Sequence, residues 1–409
     1  MRILVVSQYF WPESFRINEL AAALKQRGHD VVVLTSIPNY PEGRVDPGFA
    51  ADPGAYSRFE GIEIIRVPQM VRGVSRLRLV ANYLSFAVSA SALGAWRLRG
   101  RAFDAVLAFQ TSPVTVGLPA GLIARLKRAP MTMWILDCWP ETLAAIGVAR
   151  GQAGQWAAGL LVRAIYAMAD LLPGQSAGFR QNVARYGDAA KFRHFPNWVE
   201  AEYLAPLPPP DRPAEDPFTI VFAGNIGEAQ DFPAILDAAD LLRDAPVRFR
   251  IVGDGRDLAR TRADVSARGL DRLFEFAGRH PASAMPGFFA NADALLVSLK
   301  ADPLFALTLP GKVQTYLAAA KPILAMLDGE GRAVVEQSGA GLAVPAGDPA
   351  ALAAAVRRML DMDPEARAGM GQKGRAFAEA NYDRDMLVAR LEGWLSELMA
   401  RRRGGRLEN

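Results

Sequence analysis

Asp302-Pro-Leu-Phe-Ala-Leu-Thr-Leu-Pro-Gly-Lys-Val-Gln-Thr-Tyr-Leu-Ala-Ala-Ala-Lys-Pro-Ile-Leu-Ala325 decides the fold. The apolar run 294–299 precedes it and reads as a buried strand. The stretch then passes through a loop ending in Pro310-Gly311, opens a helix at Lys312, and leaves by Lys321-Pro322 into a second apolar run, 323–327. Strand, loop, helix, strand is the crossover of a parallel sheet. Ligands of such sheets sit outside the carboxyl ends of the strands, where helices begin with free N–H groups and partial positive charge. Lys300 and Lys312 flank this loop and add full charges, so the stretch reads as a grip on a diphosphate.

The same pattern repeats upstream. Residues 218–223 form a strand running into Gly224-Asn225-Ile-Gly227. Residues 247–252 run into Gly253-Asp-Gly255-Arg256, and 273–278 run into Arg279-His280. Glycines at strand ends let backbone approach a ligand, although a tight turn with no ligand reads the same way. Arg256 suits a phosphate, and Arg279 with His280 a base or phosphate. Before this half lies 206–217, rich in proline, the clearest linker in the chain.

The first half is a second βα array. Strands are expected at 2–7, 31–35, 62–67, 104–109 and 131–137, with a helix over 14–27 stopped by Gly28. Residues 38–59 read as a long mobile loop. The opening unit lacks a Gly-x-Gly-x-x-Gly turn, which counts against a nicotinamide or flavin enzyme. Asp137-Cys-Trp-Pro-Glu141 places two carboxylates and an indole at the end of a strand, where a site belongs. The expectation is an α/β chain of two Rossmann-like doubly wound domains facing across a cleft. The first domain covers 1–200 and is completed by an amphipathic C-terminal helix, 384–403. The linker covers 201–217 and the second domain 218–383.

Composition bounds the function. The 409 residues are 51% hydrophobic and 22% charged, with a formal net charge of +4. That balance fits anionic ligands or a membrane surface and is too weak to argue for nucleic acid. The single cysteine, Cys138, excludes an intrachain disulfide, and three histidines leave little for zinc. Asp361-x-Asp363 and Asp383-x-Asp385 fall at expected helix ends and read as caps, so no metal and no cofactor are expected. No secretory signal is read at the start of the sequence, so the protein is expected in the cytoplasm. Residues 79–96 carry no charge and are bracketed by Arg72, Arg76, Arg78, Arg97, Arg99 and Arg101. Leu79, Tyr83, Phe86, Ala90 and Leu93 share one helical stripe. The segment is either a helix packed on the sheet or one lying on an anionic bilayer. Arg401-Arg402-Arg403 is either a solvated tail or a contact with acidic lipid.

Taken together these motifs resemble a GT-B-fold retaining glycosyltransferase of family 4. The resemblance rests on Tyr9-Phe-Trp-Pro-Glu13, Gly28-His29, Pro38-Asn-Tyr-Pro-Glu-Gly43, Asp137-Cys-Trp-Pro-Glu141, Phe195-Pro-Asn-Trp198, Phe222-Ala-Gly-Asn-Ile-Gly227, Val252-Gly-Asp-Gly255, Gly278-Arg279 and Leu309-Pro-Gly-Lys-Val-Gln-Thr-Tyr-Leu-Ala-Ala-Ala-Lys-Pro322. It is most similar to a bacterial subgroup that transfers N-acetyl-fucosamine or related amino sugars in O-antigen or capsule assembly.

The resemblance implies a UDP-sugar donor in the second domain and a polyprenyl-diphosphate-linked saccharide acceptor in the first, at the inner face of the cell membrane. It implies that Gly224, Asn225, Gly227, Gly253, Gly255, Arg256, Arg279, His280, Lys300, Leu309, Pro310, Gly311, Gln314 and Thr315 bind the donor. Lys312 would neutralise the leaving diphosphate. Asp137 or Glu141 would face the acceptor, with Glu13, Arg16 and Trp139 around it. One departure stands out: the two glutamates of the wider family fall here on Leu307 and Thr315, and Gln314 is a neutral stand-in. Two rivals share this architecture, a nucleotide-sugar epimerase or hydrolase that acts without an acceptor and a non-catalytic nucleotide-sugar-binding subunit.

Overall fold

The structure is a computed structural model and describes residues 1–73, 75–145, 151–213 and 215–404. The chain forms two compact units, one of Met1–Pro196 with Asp385–Asn409 and one of Asn197–Arg384.

In the first unit the apolar runs pair into a sheet. Its strands are β1 (Arg2–Ser7), β2 (Asp30–Ser36), β3 (Arg58–Phe59), β4 (Ile62–Val67), β5 (Ala105–Gln110), β6 (Met131–Ile135), β7 (Leu172–Gly174) and β8 (Phe192–His194). Their order is β3-β4-β2-β1-β5-β6-β7-β8, parallel throughout except for the antiparallel edge pair β3–β4. Every residue of β5 and β6 is buried, as expected of strands covered on both faces. The strand order reverses between β1 and β5.

The 38–59 segment is better organised than its Pro and Gly content suggests. Asp46 accepts from Phe49 N at 2.8 Å and opens the helix Pro47–Ala51. Asp52 accepts from Gly54 N at 2.9 Å and opens the 3-10 turn Pro53–Tyr56. Both are Asp-Pro starts, in which the carboxylate satisfies a free N–H and proline fixes φ. The expectation of a mobile loop is corrected accordingly.

The uncharged segment forms the helix Arg76–Ser89, a π-helical turn Ala90–Gly94 and a last turn Ala95–Arg97. Tyr83, Phe86, Ala87 and Ala90 are buried, whereas Leu84, Val88, Leu93 and Trp96 are exposed. Leu93 leaves the expected stripe because the π turn inserts an extra residue and rotates the register. By length and composition alone, Arg76–Arg97 is long and apolar enough to cross a membrane.

The closing helix Arg384–Gly404 belongs to the first unit. Glu392 takes a hydrogen bond from Arg27 Nε at 2.8 Å and lies 2.6 Å from His29 Nε2. The Trp394 ring meets Phe195 edge-on, and Arg402 pairs with Asp170 at 2.9 Å. Arg402 is therefore bound within the unit rather than part of a free tail.

The second unit holds β9 (Phe218–Ala223), β10 (Val247–Val252), β11 (Phe274–Gly278), β12 (Ala294–Ser298), β13 (Ile323–Met326) and β14 (Gly341–Val344). All six are parallel in the order β11-β10-β9-β12-β13-β14, the doubly wound arrangement. Phe218, Ile220 and Phe222 of β9 enter the core on one face, and Val221 and Ala223 the core on the other.

The chain enters this unit before the proline-rich stretch. Val199 and Tyr203 are buried in its core, and Val199 N donates to Tyr382 O at 3.1 Å. The stretch itself is held down by Arg212, which bonds Asp293 at 2.6 Å and Thr219 Oγ1 at 3.0 Å. It is thus the skin of the second unit more than a spacer.

Candidate functional site

The second unit's strand order reverses between β9 and β12, so ligand is expected beyond their carboxyl ends. Three strand-end loops are stacked there by main-chain bonds. Gly224 N donates to Val252 O at 2.8 Å, Gly253 N to Gly278 O at 2.8 Å, and Ile226 N to Asp254 O at 2.9 Å. Gly224 (φ 135°) and Gly253 (φ 141°) sit where L side chains are strained, and a side chain on Gly253 would strike the Gly224 carbonyl. The loops enclose a cavity of about 570 Å³ lined by Gly224, Asn225, Gly253, Gly255, Arg279 and His280, with Met285 among its walls.

Lys312 arrives from the other side of the reversal. The helix Gly311–Ala318 is pinned to β9 by Tyr316, whose hydroxyl accepts from Ala223 N at 3.0 Å. One turn earlier, Lys312 reaches alongside Gly224, where an added Cβ would lie 2.8 Å from Nζ. Nζ is buried with no hydrogen-bond partner among the described residues and rests 3.6 Å from the centroid of the Phe222 ring. Burial lowers its pKa to about 7. An unsatisfied buried ammonium is costly, and an anion in the neighbouring cavity would relieve it.

Two further cations, Lys300 and Arg256, are not among the residues lining the cavity and are already engaged. Lys300 Nζ donates to Glu228 at 2.6 Å and Arg256 to the same carboxylate at 2.9 Å. Lys300 holds Glu228 below its ordinary pKa, and Glu228 raises that of Lys300. Arg279 is exposed, and His280 Nε2 lies 3.1 Å from Ala277 O against the Phe288 ring.

Leu309, Pro310, Gly311, Thr315 and Gln314 do not line the cavity. Leu309 is buried, Pro310 precedes the helix, and Gln314 is buried with Nε2 donating to Asn197 O at 2.6 Å. Gln314 thereby braces the unit through Asn197. Glu228 was not legible beforehand. Its only signal is a carboxylate directly after Gly227.

In the first unit the loop after β6 gathers Asp137, Trp139 and Glu141. Asp137 is half-buried and accepts from Thr142 Oγ1 at 2.5 Å; burial raises its pKa, and this bond works against the shift. Trp139 is buried against Tyr83, its Nε1 donating to Ser112 at 3.2 Å, so it supports the loop instead of offering a face. Glu141 accepts from Asn182 Nδ2 at 2.8 Å and Tyr186 OH at 3.3 Å.

Glu13 also has a different task from the one expected. Its buried carboxylate accepts from Asn39 N at 2.7 Å, Tyr40 N at 2.6 Å and Phe10 N at 3.3 Å, tying two loops together. Burial raises its pKa, and these N–H bonds oppose the rise. Arg16 is half-buried beside Glu19 at 3.2 Å. Asp361 ends the helix Pro349–Asp361 and Asp363 precedes Pro364–Asn381. Among the described residues no group of three or more His, Cys, Asp and Glu side chains could hold a metal ion.

Comparison with known proteins bears on both units. Residues 14–198 match the family described as glycosyl transferase 4-like domain, and 217–362 that described as glycosyl transferases group 1. The chain is 30% identical over 340 residues to WcaI of Escherichia coli K12, named a colanic acid biosynthesis glycosyl transferase, covering 78% of this chain and 81% of that one. The fold is shared with Alr3699/HepE of Anabaena, solved in complex with UDP, at a TM-score of 0.70 and 14% identity over 97% of this chain and 100% of the other. It is shared also with sucrose-phosphate synthase of Thermosynechococcus elongatus, at a TM-score of 0.72 and 16% identity over 98% and 100%.

Proposed function

Given that the chain belongs to the group 1, 4-like glycosyltransferases, we propose that it is a retaining, metal-independent enzyme moving a sugar from a UDP-sugar to a polyprenyl-diphosphate-linked saccharide. The sugar is an N-acetylated amino sugar such as N-acetyl-fucosamine, and the product enters a bacterial surface polysaccharide such as O-antigen or capsule. The observation that carries this reading is the buried, unpartnered ammonium of Lys312 beside Gly224 at the second unit's reversal point. Two names support it: one relative is named for colanic acid biosynthesis, and a protein of the same fold was solved with UDP.

In this reading the donor diphosphate lies in the cavity along Gly224, Gly253 and Arg279. Lys312 Nζ, dry and fixed, meets the negative charge that grows on the diphosphate as its bond to the anomeric carbon breaks. Electrostatic groups set in advance need no rearrangement at that moment, which is why they lower barriers. The acceptor hydroxyl attacks from the face the diphosphate leaves, and its proton passes to the departing diphosphate. Asp137 and Glu141 of the first unit orient the acceptor.

The enzyme works on the inner face of the cell membrane, touching anionic lipid through the arginines of 72–101. The exposed Leu84, Val88 and Trp96 between them support that contact. The experiment is incubation with a panel of UDP-sugars and a lipid-diphosphate saccharide, with products read by mass spectrometry. A lengthened acceptor is expected. Free sugar or an epimer formed without acceptor, or no turnover with any donor, would overturn the reading.

A further inference from the structure

A second cavity, of about 470 Å³, lies in the first unit beside the loop after β6, with Glu141 on its wall and arginines to which no role above has been given. The residues of interest are Glu141, Gln155, Trp156, Leu160, Arg163 and Arg185. Its two sides differ in chemistry. Trp156 and Leu160 are apolar yet 68% and 45% exposed, an unusual cost for a helix that has other faces to offer. Arg163 has no hydrogen-bond or ion-pair partner among the described residues. Arg185 makes one long ion pair, 3.4 Å, to Glu141, whose charge is already held by Asn182 and Tyr186, and its guanidinium lies 5.3 Å from the centroid of the Tyr186 ring. Two guanidiniums with little to bind face an apolar wall.

The apolar wall does not end at the cavity. Trp156, Leu160 and Met168 lie along the helix Gly151–Met168, and Met168 sits against Gly121 of the helix Gly117–Lys127. Leu122 and Leu126 are exposed on that second helix. These two helices and Arg76–Arg97 contain no Asp or Glu at all, while Arg76, Arg78, Arg97, Arg125, Lys127 and Arg163 lie on them. A ligand matching this cavity has an anionic head and an apolar chain, and it arrives from a surface that repels nothing negative.

We propose that this cavity binds the diphosphate head of an isoprenoid-type lipid between Arg163 and Arg185, with the first isoprene units lying on Trp156 and Leu160. The inference rests on the lipid-linked-acceptor reading above and gives that acceptor its docking site. Guanidinium forks suit phosphate oxygens, and loss of the long Arg185–Glu141 contact on binding costs little in so exposed a pair.

The test titrates the full chain, saturated with UDP to occupy the donor cavity, with farnesyl diphosphate, following intrinsic tryptophan fluorescence. Farnesol, inorganic pyrophosphate and vesicles containing phosphatidylglycerol serve as the other arms. Saturable binding of farnesyl diphosphate is expected, at least about tenfold tighter than either fragment. The Arg163→Ala/Arg185→Ala variant should weaken it about tenfold or more, and Trp156→Phe should remove most of the signal change. Arg163→Gln and Arg185→Gln, checked by melting temperature, guard against a misfolded double variant.

Equal binding of farnesol, or affinity unchanged in the arginine variants, would overturn the proposal. So would binding by vesicles alone that farnesyl diphosphate does not displace. No turnover is read, so the two readings fail separately. Lipid diphosphate bound here by a chain that transfers no sugar removes only the proposed function; transfer to lipid with these arginines indifferent removes only this site.

Discussion

Nζ of Lys312 lies 3.6 Å from the centroid of the Phe222 ring and has no hydrogen-bond acceptor among the described residues. The ring face supplies a weak attraction in place of an anion, so the lysine is parked at a place the fold does not otherwise need it.

Lys312→Met should therefore separate stability from activity. Removing a buried, unpartnered cation while keeping the stem volume should leave the folding stability unchanged or raise it by up to about 2 kcal/mol. Turnover should fall about 10²- to 10³-fold. Thermal melting beside steady-state transfer checks both. Equal losses of stability and turnover would assign the residue to the scaffold.

The same ammonium makes a pH prediction. Its ordinary value is 10.5 and burial lowers it to about 7. Between these values the folded chain binds fewer protons than the unfolded one, so this group's penalty to folding is full below about pH 7 and fades as pH rises toward 10.5. If UDP binds as proposed, its diphosphate restores a partner and with it the charge. Binding at about pH 8 should thus draw up to about one proton from buffer, less near pH 6 where the lysine is already charged. Calorimetry in buffers of different ionisation enthalpy measures this. Identical uptake in Lys312→Met would locate the proton elsewhere.

Glu228 holds both Lys300 and Arg256, at 2.6 and 2.9 Å, and so competes with any phosphate for them. Glu228→Gln should free the two cations and tighten UDP binding about threefold or more, with little change in melting temperature because these pairs are exposed. Weaker binding would mean that the carboxylate holds Lys300 in its working pose.

Glu13→Gln tests the reassigned carboxylate. A carboxamide turns a donor toward one of the three main-chain N–H groups that Glu13 now accepts from. A stability loss of about 1–3 kcal/mol is expected by chemical denaturation. A raised KM for acceptor with unchanged stability would return the residue to the acceptor site.

How far the sequence could be read follows from what kind of information each feature carries. The main strands were legible because strands covered on both faces are unbroken apolar runs, as in β1 and β5. The two- and three-residue strands β3, β7 and β8 were not, since they are too short to show a period. Gly224 and Lys312 were legible as a glycine at a strand end and a cation at a helix start. Glu13, Trp139 and Gln314 looked equally available, yet each is taken up by loop groups that need a partner once buried. That demand depends on which loops meet, as does the Glu228 bridge between residues 28 and 72 positions away.

The bond from Val199 N to Tyr382 O joins the two ends of the second unit. That unit is one uninterrupted piece of chain entering and leaving at a single point, so it behaves as a guest spliced into a host. Expressed alone from Asn197 to Arg384, it needs no new contact to close its termini. The host has no such freedom: a chain stopped at Pro196 forfeits Glu392 and Trp394, and with them the lid over Arg27, His29 and Phe195.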